Sequence, residues 1–138
     1  MLDMKQYHIV SRLAIYLLAI VMILSGIFHL TNVRDLVVYI PPSIPGGNIW
    51  VYFVGIAYIL SGISFILNKW VKFAGYILAI LLFIIVIVIH LPDYLYAGNI
   101  ESKTGAFINM LNDLAIGGFA LHIAAGAHHQ KLHLEESD

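Results

Sequence analysis

Residues 78–89 have the sequence LAILLFIIVIVI, in which every position is apolar and many side chains are β-branched. A transmembrane β-strand alternates apolar and polar residues because its two faces meet different surroundings, and this segment does not alternate. A continuous apolar run instead suits a helix that is surrounded by lipid and by neighbouring helices. The segment therefore predicts a transmembrane α-helix, which we place at about residues 71–89.

Three further stretches have the same character, at about residues 13–30, 50–67 and 105–127. Roughly 20 apolar residues, at 1.5 Å rise per residue, match the ~30 Å hydrocarbon core of a bilayer. We therefore predict an all-α fold: a polytopic membrane protein whose four-transmembrane-helix bundle occupies residues 13–127. Its surroundings are the lipid bilayer, and we expect a multi-pass protein of the cell membrane.

The composition agrees with this class and excludes several others. The chain has 138 residues, of which 61% are hydrophobic and 11% are charged, whereas about a quarter of the residues of soluble domains are charged. A net charge of −1 with scattered basic residues predicts no nucleic-acid partner. Because the chain contains no cysteine, disulfides, cysteine-ligated iron–sulfur clusters and thiolate zinc sites are excluded.

The distribution of lysine and arginine predicts the orientation of the bundle. Cytoplasmic loops of membrane proteins carry an excess of these residues. Arg34 and Lys103 fall on one side of the predicted spans, and the other side holds Lys5, Arg12, Lys69, Lys72 and Lys131. We therefore predict that both termini are cytoplasmic, namely the amino end at residues 1–12 and the polar tail at residues 128–138.

Two loops then face outward, at about residues 31–49 and 91–104. The first contains the sequence PPSIPGG at residues 41–47. Proline and glycine interrupt regular structure, so we expect this loop to form a non-helical cap over the bundle.

The chain contains a weak internal repeat. The first span ends in His29-Leu30-Thr31-Asn32, and the third ends in His90-Leu91-Pro92-Asp93. This similarity predicts a bundle made of two helix pairs. If the pairs are parallel repeats, a binding site is expected at the interface between them.

Polar residues inside the fourth span are the first candidates for function. Asn109 lies three and four residues before Asn112 and Asp113, so the three share one side of a helix. An ionised carboxylate in the hydrocarbon region is costly, and Asp113 must face the bundle interior, find a donor or be protonated. Asp113 is our candidate for proton handling, with Asn109 and Asn112 as ligand contacts. The alternative is that all three tie the helices together by hydrogen bonds.

His29 and His90 are the next candidates, since they lie at similar depth at the ends of the first and third spans. Two imidazoles can ligate a haem, or a metal together with Asp113, but neither histidine belongs to a metal motif of fixed spacing. Aromatic side chains such as Tyr58 beside a polar cluster suit a flat, amphipathic ligand such as a quinone headgroup. No cofactor follows with certainty; we favour a quinone over a haem and predict no metal site.

Several short motifs resemble those of the DoxX family of small four-helix membrane proteins. They are the helix end Gly26-Ile27-Phe28-His29-Leu30, the loop with Ile40-Pro41 and Pro45, the segment from Gly55 to Leu67 with Ser61-Gly62, and residues 109–118, NMLNDLAIGG. The resemblance covers about residues 13–126. In many relatives the second helix carries a Glu within a Gly-x-x-Glu-x-x-x-Gly pattern, where this chain has Tyr58.

The DoxX resemblance implies a link with membrane redox, including quinone-coupled thiosulfate oxidation and complexes that tether redox enzymes to the membrane. It thus implies a membrane subunit of a redox-associated complex with a redox-protein partner. In this interpretation His29, His90, Asn109 and Asp113 line an outward-facing polar pocket for a quinone. A role that needs the family's Glu is in doubt here or has passed to Asp113.

Two alternatives stay open: a non-enzymatic assembly or scaffold protein, and a small transporter acting as a homo-oligomer. The sequence does not decide whether the chain is an enzyme.

Overall fold

A computed structural model describes the backbone of residues 3–135 and the side chains of residues 3–127. The described residues form helices and contain no strand. Four helical stretches are long and apolar enough to cross a membrane: Met4–Thr31, Gly47–Leu67, Val71–Tyr96 and Ile100–Ala127. The all-α prediction with four candidate membrane helices is confirmed. The side chains of the predicted tail, residues 128–138, lie outside the described residues.

The regular elements follow one another with short connections. Six α-helices are present in the described chain: α1 Met4–Thr31, α2 Val33–Leu36, α3 Gly47–Leu67, α4 Val71–Ile85, α5 Leu91–Tyr96 and α6 Ile100–Glu135. A short 3-10 helix, Val37–Tyr39, follows α2, and a π-helix, Val86–His90, joins α4 to α5.

The two predicted loops contain more helix than expected. The non-helical cap is wrong for residues 33–39, because the backbone carbonyl of Asn32 accepts hydrogen bonds from the N–H groups of Asp35 and Leu36 and starts a new helix. The prediction of a loop at residues 91–104 is also wrong for most of these residues, since they belong to α5 and to the start of α6. Pro92 lies in the first turn of α5 and directly follows the π-helix; a proline at such a place leaves one carbonyl of the preceding turn without its N–H partner.

The four spanning segments pack as two pairs. α1 packs along α3, α4 packs along α6, and a smaller contact between α3 and α4 joins the pairs. This is the arrangement that the internal repeat predicts. Among the described residues, α1 and α6 make no comparable contact with each other, so the spatial order of the helices is α1, α3, α4, α6.

Glycines allow close approach within the first pair. A Cβ atom added at Gly26 would lie 2.5 Å from the backbone oxygen of Gly55, and one added at Gly62 would lie 2.6 Å from the backbone oxygen of Ala19. Small residues at such contacts let membrane helices gain dispersion energy where the hydrophobic effect is absent. The α1–α3 pair is therefore held by close backbone packing.

Candidate functional site

A cavity of ≈ 500 Å³ lies among the four spanning segments. It occupies the histidine end of the bundle, by which we mean the end that carries His29 and His90. The residues that the sequence identified as site candidates all line it: His29, Tyr58, His90, Asn109, Asn112 and Asp113. Both helix pairs contribute walls, so the cavity lies at the interface between them.

His90 and Asp113 form a direct polar contact across the second helix pair. The Nε2 atom of His90 lies 3.0 Å from the Oδ2 atom of Asp113, a normal distance for an N–H group that donates to a carboxylate. The side chains are 16% and 17% exposed, so the pair is shielded but can be reached from the cavity. The contact joins the π-helix to α6 and places an acid and a base side by side.

The π-helix at Val86–His90 sets the direction of the His90 side chain. The backbone N–H of Leu91 donates to the carbonyl of Val86, five residues earlier. A π-turn holds more residues than the 3.6 of an α-turn, so the side chains that follow it are turned relative to an uninterrupted α-helix. Such turns are frequent at functional sites. Here the turn ends at the residue that contacts Asp113.

His29 has a different partner, although it occupies the equivalent place in the first pair. Its Nδ1 atom lies 2.8 Å from the backbone oxygen of Ser25, one turn earlier in α1. A carbonyl oxygen only accepts, so Nδ1–H donates, and in the neutral ring Nε2 is left as an acceptor. The ring meets the buried side chain of Tyr58 edge to face, with 5.2 Å between the ring centroids.

The two asparagines lie on the open side of the cavity. Asn109 and Asn112 are exposed residues of α6, and both line the cavity. Asp113, which shares their side of the helix, is less exposed and contacts His90. The cluster predicted from the three- and four-residue spacing is therefore brought together, and Asp113 is directed toward His90 within the second pair.

The segment between α1 and α3, together with Trp50 at the start of α3, adds residues that sequence reasoning did not assign to the site. Asp35, Tyr39 and Trp50 line the cavity. The indole Nε1–H of Trp50 donates to the backbone oxygen of Pro45 at 3.0 Å, which fastens the proline-rich segment to the start of α3. The sequence offered no signal for their place in the cavity, because the position of this segment depends on the short helix α2.

The polar chemistry of the cavity wall is mixed. The Nε2 atom of His90 is already in contact with Asp113. In residues 3–127, no group of three or more His, Asp or Glu side chains is arranged to hold a metal ion. A cavity of ≈ 500 Å³ with imidazole, carboxylate and amide groups in its walls has the size and mixed polarity of small-molecule sites.

A second hollow of ≈ 430 Å³ lies at the opposite end of the bundle, beside the turn between α3 and α4. Its lining includes Asn68, Trp70, Lys72 and Tyr76, and none of the predicted site residues. The candidate site is therefore the cavity at the histidine end.

Comparison with models of known protein families gives a match to the DoxX family over residues 12–91, which is more than half of the chain. The matched part contains His29, Tyr58 and His90. The helix α6 lies beyond it, so the match itself does not bear on Asn109, Asn112 or Asp113. A search of curated proteins finds no match, and neither does a search of solved structures.

Proposed function

The chain belongs to the DoxX family of membrane proteins, and from that premise we propose that it is a membrane subunit of a redox-associated complex that binds a quinone in the cavity at the histidine end. The observation that carries the proposal is the pairing of His90 with Asp113 in the wall of this cavity. An imidazole and a carboxylate in contact can hold and pass on a proton at a site where hydrocarbon surrounds the protein.

Each side chain of the cavity has a part in this proposal. A quinone, when bound, supplies two-electron and two-proton chemistry, and the electrons come from a redox-protein partner. His90 and Asp113 hold the proton that is exchanged with a quinone oxygen. The Nε2 atom of His29 is left as an acceptor by the bond to Ser25. It receives a hydrogen bond from a hydroxyl group of the reduced ligand, the quinol. The amides of Asn109 and Asn112 orient the headgroup by donating to its oxygens.

A scaffold role is the second candidate, because the same contact also has a structural consequence. His90 and Asp113 join the π-helix to α6, and a buried polar contact between membrane helices contributes to their association. In this alternative the protein stabilises a membrane partner and the cavity has no ligand. The two functions differ in whether the acid must exchange a proton or must only accept a hydrogen bond.

The substitution Asp113→Asn separates proton exchange from hydrogen bonding. The asparagine oxygen still accepts a bond from His90, so we expect the protein to fold and to bind a prenylated benzoquinone in lipid nanodiscs. The rate at which a soluble reductant reduces the bound quinone should fall by about 10²–10⁴-fold, which is the usual contribution of a positioned acid or base. Binding and reduction are both followed by ultraviolet difference spectra.

Glu101→Gln is the matched control, because this exposed acid lies on the same helix as Asp113 but does not line the cavity, and the variant should reduce quinone at the wild-type rate. A folded Asp113→Asn protein with wild-type kinetics would remove the proton-handling role. Wild-type protein that binds no quinone near one per chain would remove the quinone proposal and leave the scaffold role. Uptake of a solute into vesicles by the protein alone would instead indicate the transporter.

A further inference from the structure

We infer that the cavity opens sideways into the bilayer, through a gap between α1 and α6, and that it takes the headgroup of a membrane-dissolved amphiphile whose hydrocarbon tail stays in the lipid. The identity of the headgroup rests on the proposed function. The opening itself rests on the packing of the helices and can be tested separately.

Three sides of the cavity are closed by helix packing. α1 packs along α3, α3 contacts α4, and α4 packs along α6. The fourth side would have to be closed by α1 against α6, and the described residues of these helices make no comparable contact. Both nevertheless contribute to the cavity wall, α1 through Ser25 and Phe28 and α6 through Asn109 and Asn112. The gap between them is therefore a side opening of the cavity.

The end of the cavity is covered by the segment between α1 and α3. Asp35, Leu36, Tyr39 and Ile40 of this segment line the cavity together with Trp50. The hydrogen bond from Trp50 to the Pro45 carbonyl fastens the segment at its far end. A ligand that enters from water must pass this cover, whereas one that enters from the bilayer passes between two helices.

The rim of the opening combines an aromatic side chain with two amides. Phe28 of α1 is 53% exposed, and Asn109 and Asn112 of α6 are exposed without a hydrogen-bond partner in the part of the chain that the structure describes. The neighbouring positions Ile108 and Leu111 are exposed apolar residues of a lipid-facing surface. Amides in such a setting are costly unless polar groups reach them. A headgroup that passes the rim supplies those groups.

The rim and the size of the cavity together define the ligand class. A cavity of ≈ 500 Å³ is in the lower half of the range of about 300–1,000 Å³ for small-molecule sites. It holds a flat headgroup with hydrogen-bonding oxygens but not a long tail as well. The tail therefore lies outside, along the exposed apolar faces of α1 and α6. Prenylquinones and acyl lipids share this chemistry.

Photolabelling from the bilayer tests the opening without reference to redox activity. The full chain is placed in nanodiscs of phosphatidylcholine that contain a long-chain amphiphile with an aryl diazirine in its headgroup, and adducts are located by mass spectrometry. We expect adducts on the lipid-facing residues Ile108 and Leu111. We also expect them inside the cavity, on Val54 of α3 and Ile89 of the π-helix, which line it from the far walls.

Three variants test whether the amphiphile enters the cavity between α1 and α6. Asn112→Trp narrows the rim and should lose the adducts on Val54 and Ile89 while keeping those on the lipid-facing surface. Leu111→Trp adds the same side chain to the same helix at an exposed position outside the cavity lining, and it should label like wild type. Asn112→Ala removes the amide without adding bulk and should also keep the cavity adducts.

The inference is overturned if the wild-type cavity residues stay unlabelled while the lipid-facing residues are labelled, or if Asn112→Trp labels like wild type. It is also overturned if an Asn112→Cys variant, in this otherwise cysteine-free chain, forms intermolecular disulfides in high yield, because a second copy then covers the rim. Cavity labelling in a protein that binds no prenylquinone would retain the opening and remove the proposed quinone. Prenylquinone binding without cavity labelling would retain the proposed quinone site and remove the side opening.

Discussion

His29 and His90 occupy corresponding places at the same end of the two helix pairs, yet their ring nitrogens have different partners. His29 donates to the carbonyl of Ser25 in its own helix, and its ring contacts Tyr58 of the neighbouring helix edge to face. His90 reaches across to the carboxylate of Asp113. The first histidine is thus a packing residue with a free acceptor, and the second is half of a polar link between helices.

The difference follows from what each partner helix offers. Opposite His29, α3 presents Gly55, where an added Cβ would lie 2.9 Å from the Cβ of His29. The helices approach closely there, and backbone packing holds the pair. Opposite His90, α6 presents an acid. The two pairs therefore show two ways to hold membrane helices together, by small residues and by polar contacts, and only the second leaves a titratable pair in the cavity wall.

The largest effect is expected from breaking the backbone contact of the first pair. A side chain at Gly26 meets the backbone oxygen of Gly55 at 2.5 Å, and a backbone atom cannot move aside as a flexible side chain can. Gly26→Val should therefore lower the free energy of unfolding by at least the ~1–3 kcal/mol typical of overpacking. Unfolding in detergent, followed by circular dichroism, measures the change.

The control for this prediction is Gly118→Val, since an added Cβ at Gly118 meets nothing within 4 Å. This variant should stay close to wild type in the same assay. Equal stability of the two valine variants would show that the close contact between α1 and α3 does not hold the first pair.

A double-mutant cycle measures the polar link of the second pair. His90→Ala, Asp113→Ala and the double variant should give a coupling energy of about 0.5–3 kcal/mol, as expected for side chains in direct contact. The same cycle with His29→Ala in place of His90→Ala should give a smaller value, because His29 bonds to its own helix. Equal couplings would mean that both histidines are linked to Asp113 and would remove the difference between the pairs.

Sequence reasoning predicted the features that depend on composition and local spacing. Four apolar runs gave the spanning helices, the repeated His-Leu ends gave the pairing, and helical spacing grouped Asn109, Asn112 and Asp113. These inferences succeed because hydrocarbon leaves a chain few alternatives to a helix. The family resemblance was likewise correct for residues 12–91.

The specific partner of each histidine could not be predicted. The π-turn that directs His90 lies in the uniform apolar run VIVI at residues 86–89. Because every residue there is apolar, the hydrophobic pattern is the same for an α-turn and for a π-turn. The gap between α1 and α6 depends on the packing of helices that are far apart in sequence. Helix α2 was missed because the prolines and glycines that follow it dominated the interpretation of the segment.

The smallest effect is expected at Tyr58, where the comparison can be tested most finely. Tyr58→Phe removes one hydroxyl group, which makes no hydrogen bond in the described part of the chain, and keeps the ring that packs against His29. The unfolding free energy should therefore change by less than the ~0.5–1.5 kcal/mol that one hydrogen bond contributes net. Tyr76→Phe, at a 40% exposed residue, is the control and should change it less. If Tyr58→Phe instead costs as much as His90→Ala, the hydroxyl is a polar link of the first pair. The two pairs would then be held at this end by the same kind of interaction.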